Sequence, residues 1–147
     1  MARVFSRKTV REHNLHMKPP RVLVADDHDK MRRFVVELLD NEFHVVGAVG
    51  NGDDLVQAAI RLRPDVIVSD IVMPRLSGLA ARDMLIAKGR AVPFVFVSGL
   101  GKEIACLLLP ACPVAFVYKC DLSAQHLRTA VEEVLGGRPY LSPHYRE

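Results

Sequence analysis

The sequence predicts an α/β domain built on a parallel sheet with helices on both faces. Three observations carry that prediction: short uninterrupted apolar runs, stretches of helical hydrophobic period between them, and a polar or charged residue closing each run. The runs are Val22-Leu23-Val24-Ala25, Val66-Ile67-Val68-Ser69, Phe94-Val95-Phe96-Val97 and Val114-Ala115-Phe116-Val117-Tyr118. A run without polar alternation suits a strand buried on both faces, and strands of that kind pair in parallel through crossover connections.

Each element follows in order. The first strand runs into Asp26-Asp27, after which Met31, Phe34, Val35, Leu38 and Leu39 recur at the spacing of one helical stripe. His44–Val49 supplies a second strand. Leu55, Ala58, Ala59 and Leu62 mark the second helix, opened by the capping residues of Asn51-Gly52-Asp53 and ended by Pro64. The third strand ends at Asp70, and Ala80, Ala81, Met84 and Leu85 form the stripe of the next helix. The fourth strand ends at Ser98. A fourth helix is expected between Gly101 and Leu109, cut short by Pro110 and Pro113. The fifth strand ends at Lys119, and the last helix carries Leu127, Ala130, Val131 and Val134 between a Ser123 cap and a Gly136-Gly137 stop. Five repeats of strand and helix predict five parallel strands.

Composition narrows the class. The 147 residues suit one domain, half of them are apolar, and no apolar stretch approaches the roughly 20 residues of a membrane helix. A cytoplasmic protein with no membrane partner is expected. The net charge of +3 is uneven: residues 1–20 carry five basic side chains against Glu12, so the remainder has a net charge of −1. The folded part is therefore not a basic surface of the kind that coats nucleic acid. Residues 1–20 read as a flexible basic extension, 21–137 as the domain, and 138–147 as a tail or truncated linker. Cys106, Cys112 and Cys120 show no CxxC spacing and read as reduced thiols, and His13 and His16 lack companion metal ligands.

Parallel strands bring their carboxyl ends to one sheet edge, where ligands of such sheets bind. Here that edge gathers Asp26, Asp27, Asp70, Ser98 and Lys119. Three carboxylates ionised at neutral pH repel one another across a small pocket, and a divalent cation removes the conflict. Mg²⁺ prefers such oxygen ligands, together with water and phosphate oxygens. Lys119 adds a flexible point charge, and a metal, a lysine and a nucleophilic carboxylate together suit phosphoryl transfer.

These residues also carry a resemblance. The acid pair, the segment Asp70-Ile71-Val72-Met73-Pro74, the pairs Ser77-Gly78 and Ser98-Gly99, and Lys119 stand in the order and spacing of the receiver domains of two-component response regulators. The resemblance covers about residues 21–137. Ala25-Asp26-Asp27-His28 and the segment from Gly136 to Pro143 look most like the NarL/FixJ branch. It implies a flavodoxin-like (βα)5 fold with strand order 2-1-3-4-5. It further implies Asp70 as phosphoacceptor, and Mg²⁺ held by Asp26, Asp27, Asp70 and the backbone carbonyl of Val72. Ser98 and Lys119 would contact the phosphoryl group, and the switch would draw the Ser98 loop inward with Phe116 following. The phosphoryl donor would be a sensor histidine kinase or a phosphotransfer protein, homodimers are compatible, and chemistry stops at self-phosphotransfer and slow autodephosphorylation. DNA would be reached only through an output domain, for which the residues after 137 leave no room, so a stand-alone receiver or a fragment is expected.

Each residue has a plainer explanation when taken singly. His28 fits the first turn of a helix, and five further residues have plain explanations: Asp27 can cap a helix, Asp70 can end a strand, Ser98 can turn a loop, Lys119 can be a solvated charge, and Phe116 can be core. Together those explanations require five coincidences. A phosphorylation-independent pseudo-receiver that docks proteins keeps the same fold, although the acid, Asp and Lys set is intact. A haloacid-dehalogenase-like phosphatase needs an acid two residues beyond its nucleophile, where this chain has Val72. Phe116 lacks a tyrosine hydroxyl, and Leu100-Gly101 with Pro110–Pro113 remodels the fourth helix.

Overall fold

A computed structural model describes residues 18–101, 103 and 114–146. The elements are β1 (Arg21–Ala25), α1 (Asp29–Leu39), β2 (His44–Val49), α2 (Gly52–Leu62), β3 (Val66–Asp70), α3 (Gly78–Ala87), β4 (Phe94–Ser98), β5 (Val114–Tyr118), α4 (Ala124–Leu135) and β6 (Tyr140–Leu141). Short 3-10 turns cover Lys119–Asp121 and Pro143–Arg146. The strands form one parallel sheet in the order β2-β1-β3-β4-β5-β6.

Alternation along each strand divides the core between the two faces. Leu23, Ile67, Phe94, Phe96 and Phe116 point to one side, against Leu55, Ala58 and Ala59 of α2 and Ala81 and Leu85 of α3. Val22, Val24, Val66, Val68, Val95, Val97 and Val117 point to the other, against Val35 and Leu39 of α1 and all four predicted stripe residues of α4. Both faces are covered, which is why β3, β4 and most of β5 needed no polar alternation.

The helix ends follow local chemistry. Asn51, Ser77 and Ser123 cap α2, α3 and α4, each accepting a backbone N–H from three residues on. Arg63 closes α2 in the left-handed conformation, with φ 51°, immediately before Pro64. His28 stands at the N-cap of α1 without a side-chain capping bond.

Two expectations change. Among the described residues the sheet has six strands, because Tyr140–Leu141 pairs with Ala115 and Phe116 of β5; a two-residue strand is too short to show a period. This strand and Tyr145, which is buried, come from the stretch read as a tail or linker. The buried helical stripes are also narrower than the period predicts: Phe34 and Met84 are 44% and 40% exposed, since the sheet covers only part of each helix. Residues 1–17, the fourth expected helix apart from Gly101 and Glu103, Cys106, Cys112, His13 and His16 lie outside the described residues. Cys120 is a free, exposed thiol.

Candidate functional site

Strand register builds the site. Ala25 pairs with Ser69, Asp70 with Val97 and Ser98 with Tyr118, so Asp26, Asp70, Ser98 and Lys119 emerge at the same end of β1, β3, β4 and β5. Carboxylate oxygens of Asp26, Asp27 and Asp70 all lie within 4.8 Å of one another. Asp26 and Asp70 are buried, while Asp27 is exposed. Lys119 Nζ lies 3.4 Å from Asp70 Oδ2. The five side chains predicted from sequence are thus brought to one sheet edge.

Local hydrogen bonds fix the acids. Asp26 Oδ1 accepts from the His28 amide at 2.9 Å, and Arg32 Nη1 donates to the Asp26 carbonyl at 2.8 Å. Asp70 Oδ1 accepts from the Val72 amide at 3.3 Å. Gly78 lets the start of α3 close on this edge: its amide donates to the Ile71 carbonyl at 2.8 Å, and a Cβ there would overlap the Asp70 carbonyl. Val72 itself is 62% exposed beside the pocket.

Electrostatics disfavour the pocket as it stands. Burial holds the Asp26 carboxyl above its ordinary range; the His28 amide works against that shift, and the neighbouring Asp70 charge adds to it. One bound lysine does not balance three acids. An all-oxygen donor set with surplus negative charge fits a hard divalent cation, and the same cluster would be a poor site for a soft one.

Ser98 is buried, its Oγ accepts from the Leu100 amide at 2.9 Å, and its hydroxyl also interacts with that of Tyr145. Phe116 is buried too, with its ring centroid 5.6 Å from that of Phe96 and 6.2 Å from that of Tyr145. Tyr145 and Ser142 adjoin these residues and were not singled out from sequence. The available signal was Tyr140-Leu141-Ser142-Pro143-His144-Tyr145, which places two aromatic residues beyond the Gly136-Gly137 stop.

The response regulator receiver domain family matches residues 22–132. The chain belongs to this family. Over 119 residues the receiver is 36% identical to a protein-glutamate methylesterase/protein-glutamine glutaminase of Archaeoglobus fulgidus, a match covering 78% of this chain and 34% of that protein. A protein of the same name from Carboxydothermus hydrogenoformans is 34% identical over 125 residues, covering 81% of this chain and 35% of its own length. The chain spans about a quarter to a third of the length of the curated relatives it matches. Among solved structures, the response regulator domain of Thermotoga maritima CheB superposes with a TM-score of 0.74 at 31% identity, covering 83% of this chain and all of that one. The signal receiver domain of the putative response regulator NarL of Mycobacterium tuberculosis gives 0.75 at 25% identity, covering 82% and 99%.

These similarities place the receiver in the family without confining it to the NarL/FixJ branch, since the curated relatives are named as methylesterases. The receiver itself is a signalling module; the methylesterase name belongs to the longer proteins. Among the described residues, no helix is long and apolar enough to cross a membrane.

Proposed function

We propose that this receiver acts in the cytoplasm, accepts a phosphoryl group on Asp70 from a sensor histidine kinase or phosphotransfer protein, and so changes conformation to control a partner or an output domain. The observation that carries this reading is the meeting of three carboxylates within 4.8 Å with a lysine ammonium 3.4 Å from one of them. An Asp70 carboxylate oxygen forms the new O–P bond while the P–N bond to the donor imidazole breaks, and the departing imidazole keeps or takes up a proton. The Asp26, Asp27 and Asp70 carboxylates with the Val72 carbonyl would hold Mg²⁺, which when bound would neutralise charge on the phosphoryl oxygens.

The chain's own residues do the rest. Lys119 pairs with Asp70 before transfer and with a phosphoryl oxygen afterwards, so its charge is never left uncompensated. Ser98 has a hydroxyl proton to donate to the new dianion, and the buried ring of Phe116 couples that movement to the β5 face. The activity amounts to self-phosphotransfer followed by slow autodephosphorylation.

Incubation with acetyl phosphate and Mg²⁺ tests the assignment by intact mass. Wild type gains one phosphoryl group and Asp70→Asn gains none. Equal labelling of the two proteins moves the acceptor to another residue.

A further inference from the structure

The segment that follows α4 packs on β5 and on the turn that follows Ser98. Its Ser142 amide donates to the Phe116 carbonyl at 2.9 Å, and Ser142 Oγ accepts from the Tyr118 amide at 2.8 Å. The His144 amide donates to Asp121 Oδ2 at 2.9 Å, and the His144 ring stacks on Tyr118 with centroids 3.6 Å apart. Tyr145 completes the grip. Its ring meets Phe116 and Tyr118 edge-on, at 6.2 and 5.6 Å, and its hydroxyl donates to the Leu100 carbonyl at 3.0 Å.

Leu100 is therefore held at both ends, with its amide on Ser98 Oγ and its carbonyl on the Tyr145 hydroxyl. We propose that residues 140–146 form an intramolecular latch in which Tyr145, by holding the Leu100 carbonyl, keeps the Ser98 loop in its unphosphorylated arrangement and opposes phosphorylation of Asp70. The inference rests on Asp70 being the phosphoacceptor.

The coupling follows from the contacts. A phosphoryl dianion on β3 is a stronger acceptor than any group now facing Ser98, so the hydroxyl turns toward it. That turn moves the Leu100 peptide, while Tyr145 cannot follow because its ring is fixed against two aromatic neighbours. Burial pushes the Tyr145 phenol up to about 12, so it remains a donor throughout the neutral range. The latch has only a two-residue strand and one short turn to hold it, the kind of element that opens locally at low cost. Linkage then works in both directions: whatever factor phosphorylation gains by opening the latch, loss of the latch returns to the phosphorylated state.

Amide hydrogen exchange and equilibrium binding on the full chain test this, with beryllium fluoride and Mg²⁺ as a noncovalent phosphoryl probe. In wild type the probe lowers protection of the Ser142 and Tyr118 amides by at least about fivefold. Tyr145→Phe, which keeps the ring and loses the hydroxyl, binds the probe at least about fivefold more tightly than wild type. Asp70→Asn shows neither binding nor a change in exchange. Wild type that binds through Asp70 with unchanged Ser142 protection, or a Tyr145→Phe affinity equal to wild type, overturns the latch alone. Wild type that fails to bind, or Asp70→Asn that binds equally well, overturns the phosphoacceptor reading and the latch with it.

Discussion

The carboxyl ends of β1 and β3 hold three like charges in one pocket, whereas two strands away the C-terminal turn meets β5 with the amides of Ser142, His144 and Tyr145, the Ser142 hydroxyl and the Tyr145 phenol partnered. The first region holds repulsion in place; the second contributes stability. Local rules of charge pairing are obeyed where the chain is only being held together and broken where chemistry is expected. Ser98 ends β4, the strand that lies between β3 and β5.

The contrast breaks first on the stabilising side. Phe116→Ala empties the space between Phe96 and Tyr145 and is expected to cost about 3–5 kcal/mol, read from denaturant unfolding. A loss near zero would show that the C-terminal turn is not packed on β5. Ser142→Ala comes next: it strips the acceptor from the Tyr118 amide, for an expected loss of about 1–3 kcal/mol.

Changes in the acid pocket run the other way. Asp26→Asn removes one of three crowded charges and is expected to raise stability by about 1 kcal/mol, or roughly 2–4 °C in Tm, when no divalent cation is present. The pH dependence follows from the direction of its shift. A carboxyl whose pKa is raised in the folded protein is protonated more readily there than in the unfolded chain, so stability falls as pH rises from the ordinary carboxyl range through the raised value, then levels off. That fall should be smaller in Asp26→Asn, and identical profiles would contradict the account of the pocket. The smallest effect is expected at Val72. Because its side chain is largely exposed, Val72→Asn should change stability by no more than about 0.5 kcal/mol, yet alter the dephosphorylation rate by changing water access to Asp70. An unchanged rate removes any role for Val72 in phosphoryl lifetime.

Legibility in the sequence followed the same divide. The strands that position the acids were readable because a doubly covered strand must be apolar throughout, and because parallel pairing sends every carboxyl end to one edge. Asn51, Ser123 and Pro64 were readable because capping and helix termination are local. The β5 contacts were not: Tyr140–Leu141 has no measurable period, and Ser142 is singled out only by an amide 24 residues away. Arg82 was equally silent. It lies on the buried side of α3, with Nη2 enclosed and lacking a hydrogen-bond partner, a position for a charged residue that no spacing rule anticipates.

The crowded acids of Asp26, Asp27 and Asp70 are expected to make a place for a divalent cation. Thermal unfolding of the full chain across a Mg²⁺ titration, against the double variant Asp26→Asn/Asp27→Asn, tests it most directly. Wild type should gain several degrees in Tm as Mg²⁺ is added, as expected when a ligand binds only the folded state, and the double variant should stay flat. A wild-type Tm indifferent to Mg²⁺, or an equal rise in the variant, would contradict the claim.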